Sequence, residues 1–135
     1  LDAALKQALL MQKQGADIID IGGESTRPGA KPVTLEEELN RVIPVIKKIR
    51  EHSDVALSID TSKPEVIQMA IEAGVNMVND VNALHAEGAV EICVKHQIPV
   101  CLMHKQGDPK NMQDNPQYSN VVDEIKQYLQ ARAHH

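Results

Sequence analysis

At 135 residues the chain is long enough for one domain and no more. A formal net charge of −5 argues against indiscriminate nucleic-acid binding, which needs a basic face. No apolar run reaches the length of a bilayer span and no secretory signal is legible, so a cytoplasmic setting without membrane or nucleic-acid partners is expected.

Phe and Trp are absent, so the core must be aliphatic. Cys93 and Cys101 fit neither a metal spacing nor a disulfide framework. The chain opens as a helix. Asp2 is a plausible N-cap, Leu5, Ala8 and Leu9 share a face, and Gly15 is placed to end it. A strand follows over 17–22, where the adjacent Ile18 and Ile19 predict burial on both faces, as in a parallel sheet. Gly22 and Gly23 then open a polar loop carrying Glu24, Ser25, Thr26, Arg27 and Pro28. Glycine permits close approach there. Arg27 offers a rigid fork of donors suited to a carboxylate or phosphate, and Pro28 holds it extended.

Thr34 to Glu37 reads as a capping box, and Leu39, Val42, Ile43, Ile46 and Ile49 give the next helix its stripe. Pro44 lies inside that helix and should bend it without ending it. A second strand covers 55–60. Ser62 is expected to cap the third helix, whose stripe is Val66, Ile67, Ala70 and Ile71 and whose stop is Gly74. A third strand lies within 76–81, a helix over about 87–97 and a fourth strand over 98–103, closed by His104. A polar loop over 105–119 leads to a last helix near Asn120, with Val122, Ile125 and Leu129 on one side.

Strands alternating with helices predict an α/β fold with a parallel sheet and right-handed crossovers. The strand ends converge in character: Asp20 and Glu24, Asp60, Asn79 and Asp80, then His104. In a β/α barrel or an open parallel sheet, ligands bind beyond the carboxyl ends of the strands. A site at that edge is therefore expected under either closure.

Ile-Asp-Ile-Gly-Gly-Glu-Ser-Thr-Arg-Pro-Gly over 19–29 resembles the signature of the dihydropteroate synthase family, folate-pathway enzymes blocked by sulfonamides. Ser-Ile-Asp-Thr-Ser-Lys-Pro over 58–64, Val-Asn-Asp-Val over 78–81 and Cys-Leu-Met-His over 101–104 are further matches, so the resemblance covers nearly the whole chain. It implies a (β/α)8 TIM barrel, which typically takes about 250 residues. The chain would be its second to fifth strands, a partial barrel of about four parallel strands in one pterin-binding domain over 1–135. The strands outside this segment would carry an Asn-containing mobile loop, another pterin-binding Asp, a Lys and an Arg/His anion site. Two open sheet edges would remain.

The resemblance also implies an activity: joining p-aminobenzoate to 6-hydroxymethyl-7,8-dihydropterin pyrophosphate, with release of pyrophosphate. Asp60 and Arg27 would be catalytic. Asn79 and Asp60 would bind the pterin ring, and Thr26, Arg27 and Pro28 would form the loop closing over p-aminobenzoate and pyrophosphate. Asp20 would lie near the pterin pocket or serve as an internal structural carboxylate. Val81 and Met103 would line the pocket, and a Met is also an ordinary core residue. No residue here is expected as a metal ligand. The family's Mg²⁺ would be held by pyrophosphate oxygens and by the Asn outside this segment. A homodimer is expected. Two other readings stay open: a pterin-dependent methyltransferase domain, against which the Ser-Thr-Arg-Pro loop weighs, and a non-catalytic half-barrel that pairs with another chain.

Overall fold

A computed structural model describes residues 1–27, 29–107, 111–112 and 114–134. The order of elements is α1 (Asp2–Lys13), β1 (Ile18–Gly22), α2 (Leu35–Arg50), β2 (Ala56–Asp60), α3 (Pro64–Ala73), β3 (Met77–Asp80), α4 (Ala89–His96), β4 (Val100–Leu102) and α5 (Val121–Ala133). All strand pairs are parallel, and the sheet runs β1-β2-β3-β4 in chain order. Each crossover therefore steps one strand in the same direction. With a fixed hand, that puts the helices in one layer. Accordingly α1 meets α2, α2 meets α3, and α3 meets α4. A doubly wound sheet reverses its strand order at a switch point and has helices on both faces. The uninterrupted order and single helix layer found here make this a stretch of a β/α barrel.

Register assigns the two faces. Ile19 pairs with Leu57, Ile21 with Ile59, and Ile59 in turn with Val78, on the helix side. These side chains are buried with Val42, Ile46, Ile49, Val66 and Ile67 of the covering helices. Each such burial is worth about 1.5–3 kcal/mol, so this interface holds the fold together. The opposite face carries Asp20 beside Ser58, and Gly22 beside Asp60, Asn79 and Cys101. That face is polar and open.

Several local expectations stand. Thr34 Oγ1 accepts from the Glu37 amide at 3.2 Å, which is one half of the expected capping box, while the Glu37 carboxylate pairs with Arg41. Gly74 ends α3 at φ +108°, a left-handed conformation suited to glycine. Asn120 caps α5, accepting from the Asp123 amide at 3.3 Å. Helix α2 continues through Pro44, which stands on its exposed side.

Others are corrected. Leu1 occupies the N-cap of α1, with Asp2 inside the first turn and no side-chain cap bond. Ile18 is 47% exposed, because it lies on the open face of an edge strand with no neighbour to cover it. Lys63, not Ser62, is the N-cap residue of α3, and Ser62 Oγ is drawn to Asp80 instead. Asp80 does not belong to the open face. It is fully buried, accepting from Ser62 and from the amides of Asn82 and Leu84 at 2.8 Å each, and so organises the turn after β3. Val122 is 70% exposed, and no residue of α5 is fully buried. Arg132 ties that helix down by donating to the Ala83 and Leu84 carbonyls at 2.8 Å, and Tyr128 packs against His85 and His104.

Candidate active site

The carboxyl ends of β1 and β2 and the turn after β3 enclose a cleft of about 380 Å³. Its floor includes Asp60, Thr61 and Val81, and one wall is the loop with Thr26 and Arg27. Gly23 lets that loop leave the sheet. A Cβ there would stand 2.8 Å from Glu38 Cγ and 2.9 Å from Val42 Cγ1, closer than packed atoms allow, so α2 can seat against β1 only over a glycine. The Gly23 carbonyl accepts from Arg41 Nη1 at 2.8 Å, which fixes the main chain as it turns outward.

Asp60 sits partly buried at the end of β2 with Gly22 and Asn79 on either side. Burial, and then the negative charges of Asp20, Asp80 and Glu38, push its carboxyl up from 3.8 to about 6. A carboxylate held at such a cost in a cleft is a mark of a functional group.

Asn79 and Asp20 form a second constellation on the open face. Asn79 Nδ2 donates to Asp20 Oδ2 at 3.1 Å, and Ser58 Oγ donates to the other Asp20 oxygen. An ionised carboxylate only accepts, so the Asn79 amide must turn its NH2 toward Asp20. Its carbonyl oxygen is then the atom offered to a ligand N–H. Asp20 is exposed on the open face of the sheet, where it orients Asn79 and accepts from Ser58.

Of the residues singled out from sequence, Thr26, Arg27, Asp60 and Val81 line the cleft together. Asn79 and Asp20 adjoin it on the strand surface without lining it. Met103 stands one residue beyond β4 and does not line the cleft. Pro28 lies outside the described residues. His104 packs its ring edge-on to Tyr128 at 5.0 Å and tilted to Tyr118 at 5.8 Å, which makes it part of the α5 docking corner.

Sequence reasoning missed a charged group in the same cleft. Lys63 Nζ donates to both Glu24 and Glu38, and Glu38 also accepts from Thr61 Oγ1 at 2.6 Å. Burial disfavours the Lys63 ammonium, but hydrogen bonds and charge from both glutamates outweigh that and raise its pKa. The available signal was position. Glu38 falls four residues before Val42 and eight before Ile46, on the buried stripe of α2, where a carboxylate needs a partner.

A family model described as pterin binding enzyme matches residues 1–135. The chain belongs to that family. Among curated pterin binding enzymes and their relatives, it is 51% identical over 126 residues to dihydropteroate synthase of Escherichia coli K12, covering 93% of this chain and 45% of that protein. A solved dihydropteroate synthase of Yersinia pestis, in a sulfonamide drug complex, superimposes with a TM-score of 0.94 at 48% identity, covering 98% of this chain and 48% of that one. A Xanthomonas albilineans dihydropteroate synthase with 4-aminobenzoic acid gives 0.88 at 46% identity, over 97% and 46%. The chain spans about half the length of the relatives it matches.

Proposed function

We propose that this segment serves a dihydropteroate synthase, which condenses 6-hydroxymethyl-7,8-dihydropterin pyrophosphate with p-aminobenzoate to give 7,8-dihydropteroate and pyrophosphate. The observation that carries the proposal is one cleft holding a charge-ready loop, Thr26 and Arg27, against a floor with a strained carboxylate, Asp60, in a member of the pterin binding enzyme family. Close likeness to named dihydropteroate synthases supports it.

In this reading the lone pair of the p-aminobenzoate amine attacks the pterin methylene carbon. The carbon–oxygen bond to pyrophosphate breaks, and the amine sheds a proton. Positive charge gathers on the pterin methylene while negative charge leaves on pyrophosphate. Asp60 faces the pterin ring nitrogens and offsets the first. Arg27, with its planar fork, meets the second or the p-aminobenzoate carboxylate. Asn79, oriented by Asp20, reads the heterocycle edge through its carbonyl oxygen. Val81 supplies an apolar wall. Catalysis then rests on orientation and electrostatics, with no covalent intermediate.

Among the described residues no group of three His, Cys, Asp or Glu side chains is arranged to hold a metal ion. Asp20, Glu24, Glu38 and Asp80 are already engaged by Ser58, Asn79, Lys63, Ser62 and backbone amides, which leaves Asp60 as a single carboxylate at the strand ends. The residues here do not by themselves fit a Mg²⁺ site, and a Mg²⁺ used in the reaction would enter on pyrophosphate oxygens. The proposal includes a homodimer in a cytoplasmic setting, and light scattering of the purified protein checks the first.

The direct test is a hybrid in which this segment replaces the matching 126 residues of the E. coli enzyme. Pyrophosphate release that depends on both substrates is expected, with Asp60→Asn lowering kcat by at least about 10²-fold. A folded hybrid without turnover would overturn the reading.

A further inference from the structure

The Lys63, Glu24 and Glu38 group has no part in the chemistry above, yet it sits beside the loop that does. Glu38 is its base. The side chain is 1% exposed, fixed on α2 and held by Thr61. Lys63, 28% exposed, reaches from the N-terminus of α3 across the cleft wall to Glu24. Glu24 is three residues before Arg27, so extended chain keeps the two Cα atoms within roughly 11 Å. Both side chains are long enough to meet across that span. Among the described residues, however, Arg27 has no carboxylate within ion-pair distance, and the residue is exposed. Its own amide bonds back to Ser25 Oγ at 3.4 Å. A carboxylate next to an anion-binding arginine would compete with the ligand. Here that carboxylate is already occupied.

We propose that Lys63, based on the buried Glu38, is a positioning residue that sequesters Glu24 and so keeps the Arg27 fork available to an anionic ligand. That the ligand is a substrate of dihydropteroate synthesis rests on the reading above; the sequestration does not. Two carboxylates on one ammonium also explain why a buried glutamate is tolerated: Lys63 satisfies Glu38 from one side and draws Glu24 away from the other.

Arginine-selective labelling with phenylglyoxal, read at Arg27 by peptide mass spectrometry on the chain itself, tests this without catalysis. Lys63→Met alone strands the Glu38 charge, so it is made together with Glu38→Gln, which removes that charge and keeps the bond to Thr61. Freed Glu24 then pairs with Arg27. An exposed pair is worth little, so the labelling rate at Arg27 should fall about two- to fivefold. Adding Glu24→Gln should return it to the wild-type rate, and Lys63→Arg alone should leave it near wild type. An unchanged rate in the Lys63→Met/Glu38→Gln protein, or no recovery when Glu24→Gln is added, overturns the inference. In the hybrid enzyme the same set is read as KM. The anionic substrate whose KM rises in Arg27→Ala should show a rise with Lys63→Met/Glu38→Gln and a recovery with Glu24→Gln. A general loss of folding would lower the apparent kcat through a smaller active fraction, leave both KM values unchanged and not recover with Glu24→Gln. If the unsubstituted hybrid does not turn over, the dihydropteroate reading fails, and the labelling alone decides the sequestration.

Discussion

Replacing Asp60 by Asn should make the protein more stable at neutral pH, and the gain should vanish in acid. The folded protein holds the Asp60 proton more tightly than the unfolded chain does, since burial and then Asp20, Asp80 and Glu38 raise its carboxyl from 3.8 to about 6. A raised pKa contributes stability below the unfolded value, and that stability is lost as pH rises through the folded value. Wild-type stability should therefore decline between about pH 4 and pH 6–7 from this source. At about 1.36 kcal/mol per pH unit the full effect would be about 3 kcal/mol. Asp60 still touches water, which screens the charge, so about 1 kcal/mol is the reasonable expectation. Asn lacks the ionisation, so the stability difference between Asp60→Asn and wild type should grow by that amount across the window. Urea unfolding of both proteins at pH 4, 5, 6, 7 and 8 measures it. A difference that stays flat with pH, or shrinks as pH rises, would refute the reasoning that Asp60 is held charged against its surroundings.

Gly23→Ala should cost about 1–3 kcal/mol by overpacking, because its Cβ meets Glu38 and Val42 within 3 Å; thermal unfolding checks it. Lys63→Met alone should be more damaging, about 2–4 kcal/mol, since it leaves Glu38 charged and buried, while Lys63→Met with Glu38→Leu should recover most of that. Equal losses in the single and double variants would contradict the assignment of Glu38 as the buried partner. Arg132→Ala should release α5, which has no fully buried residue, with little effect on the sheet. Hydrogen exchange should then speed up over 121–133 and stay unchanged in β1 to β3.

What could be read from sequence was what depends on local chemistry. Thr34 and Gly74 are capping and stop signals that act within a turn of themselves, and both perform as expected. Ile19 and Ile21 alternate with Asp20, and that period alone puts one set under the helices and the carboxylate on the opposite face. Relations between elements were harder. Glu38 stands in a run of three glutamates that resembles a solvated first turn, and only the approach of α3 turns it into an internal partner of Lys63. Asp80 shares a strand end with Asn79, but one step of the pleat sends it into the helix layer. Ile18 fits a buried parallel strand by composition, and its exposure follows from an edge that no local rule can see. Ser62 has the chemistry of a cap, yet the stronger acceptor, Asp80, takes its hydroxyl.

We propose that the strand ends of this chain recognise a pterin through Asn79 and Asp60. Calorimetric titration of a 7,8-dihydropterin into the hybrid enzyme and its Asn79→Ala variant tests it most directly. Removing a partner of a buried ring N–H costs about 1–3 kcal/mol, so affinity should fall roughly 5- to 150-fold. An affinity unchanged by Asn79→Ala, or no binding by a folded hybrid, would contradict the account.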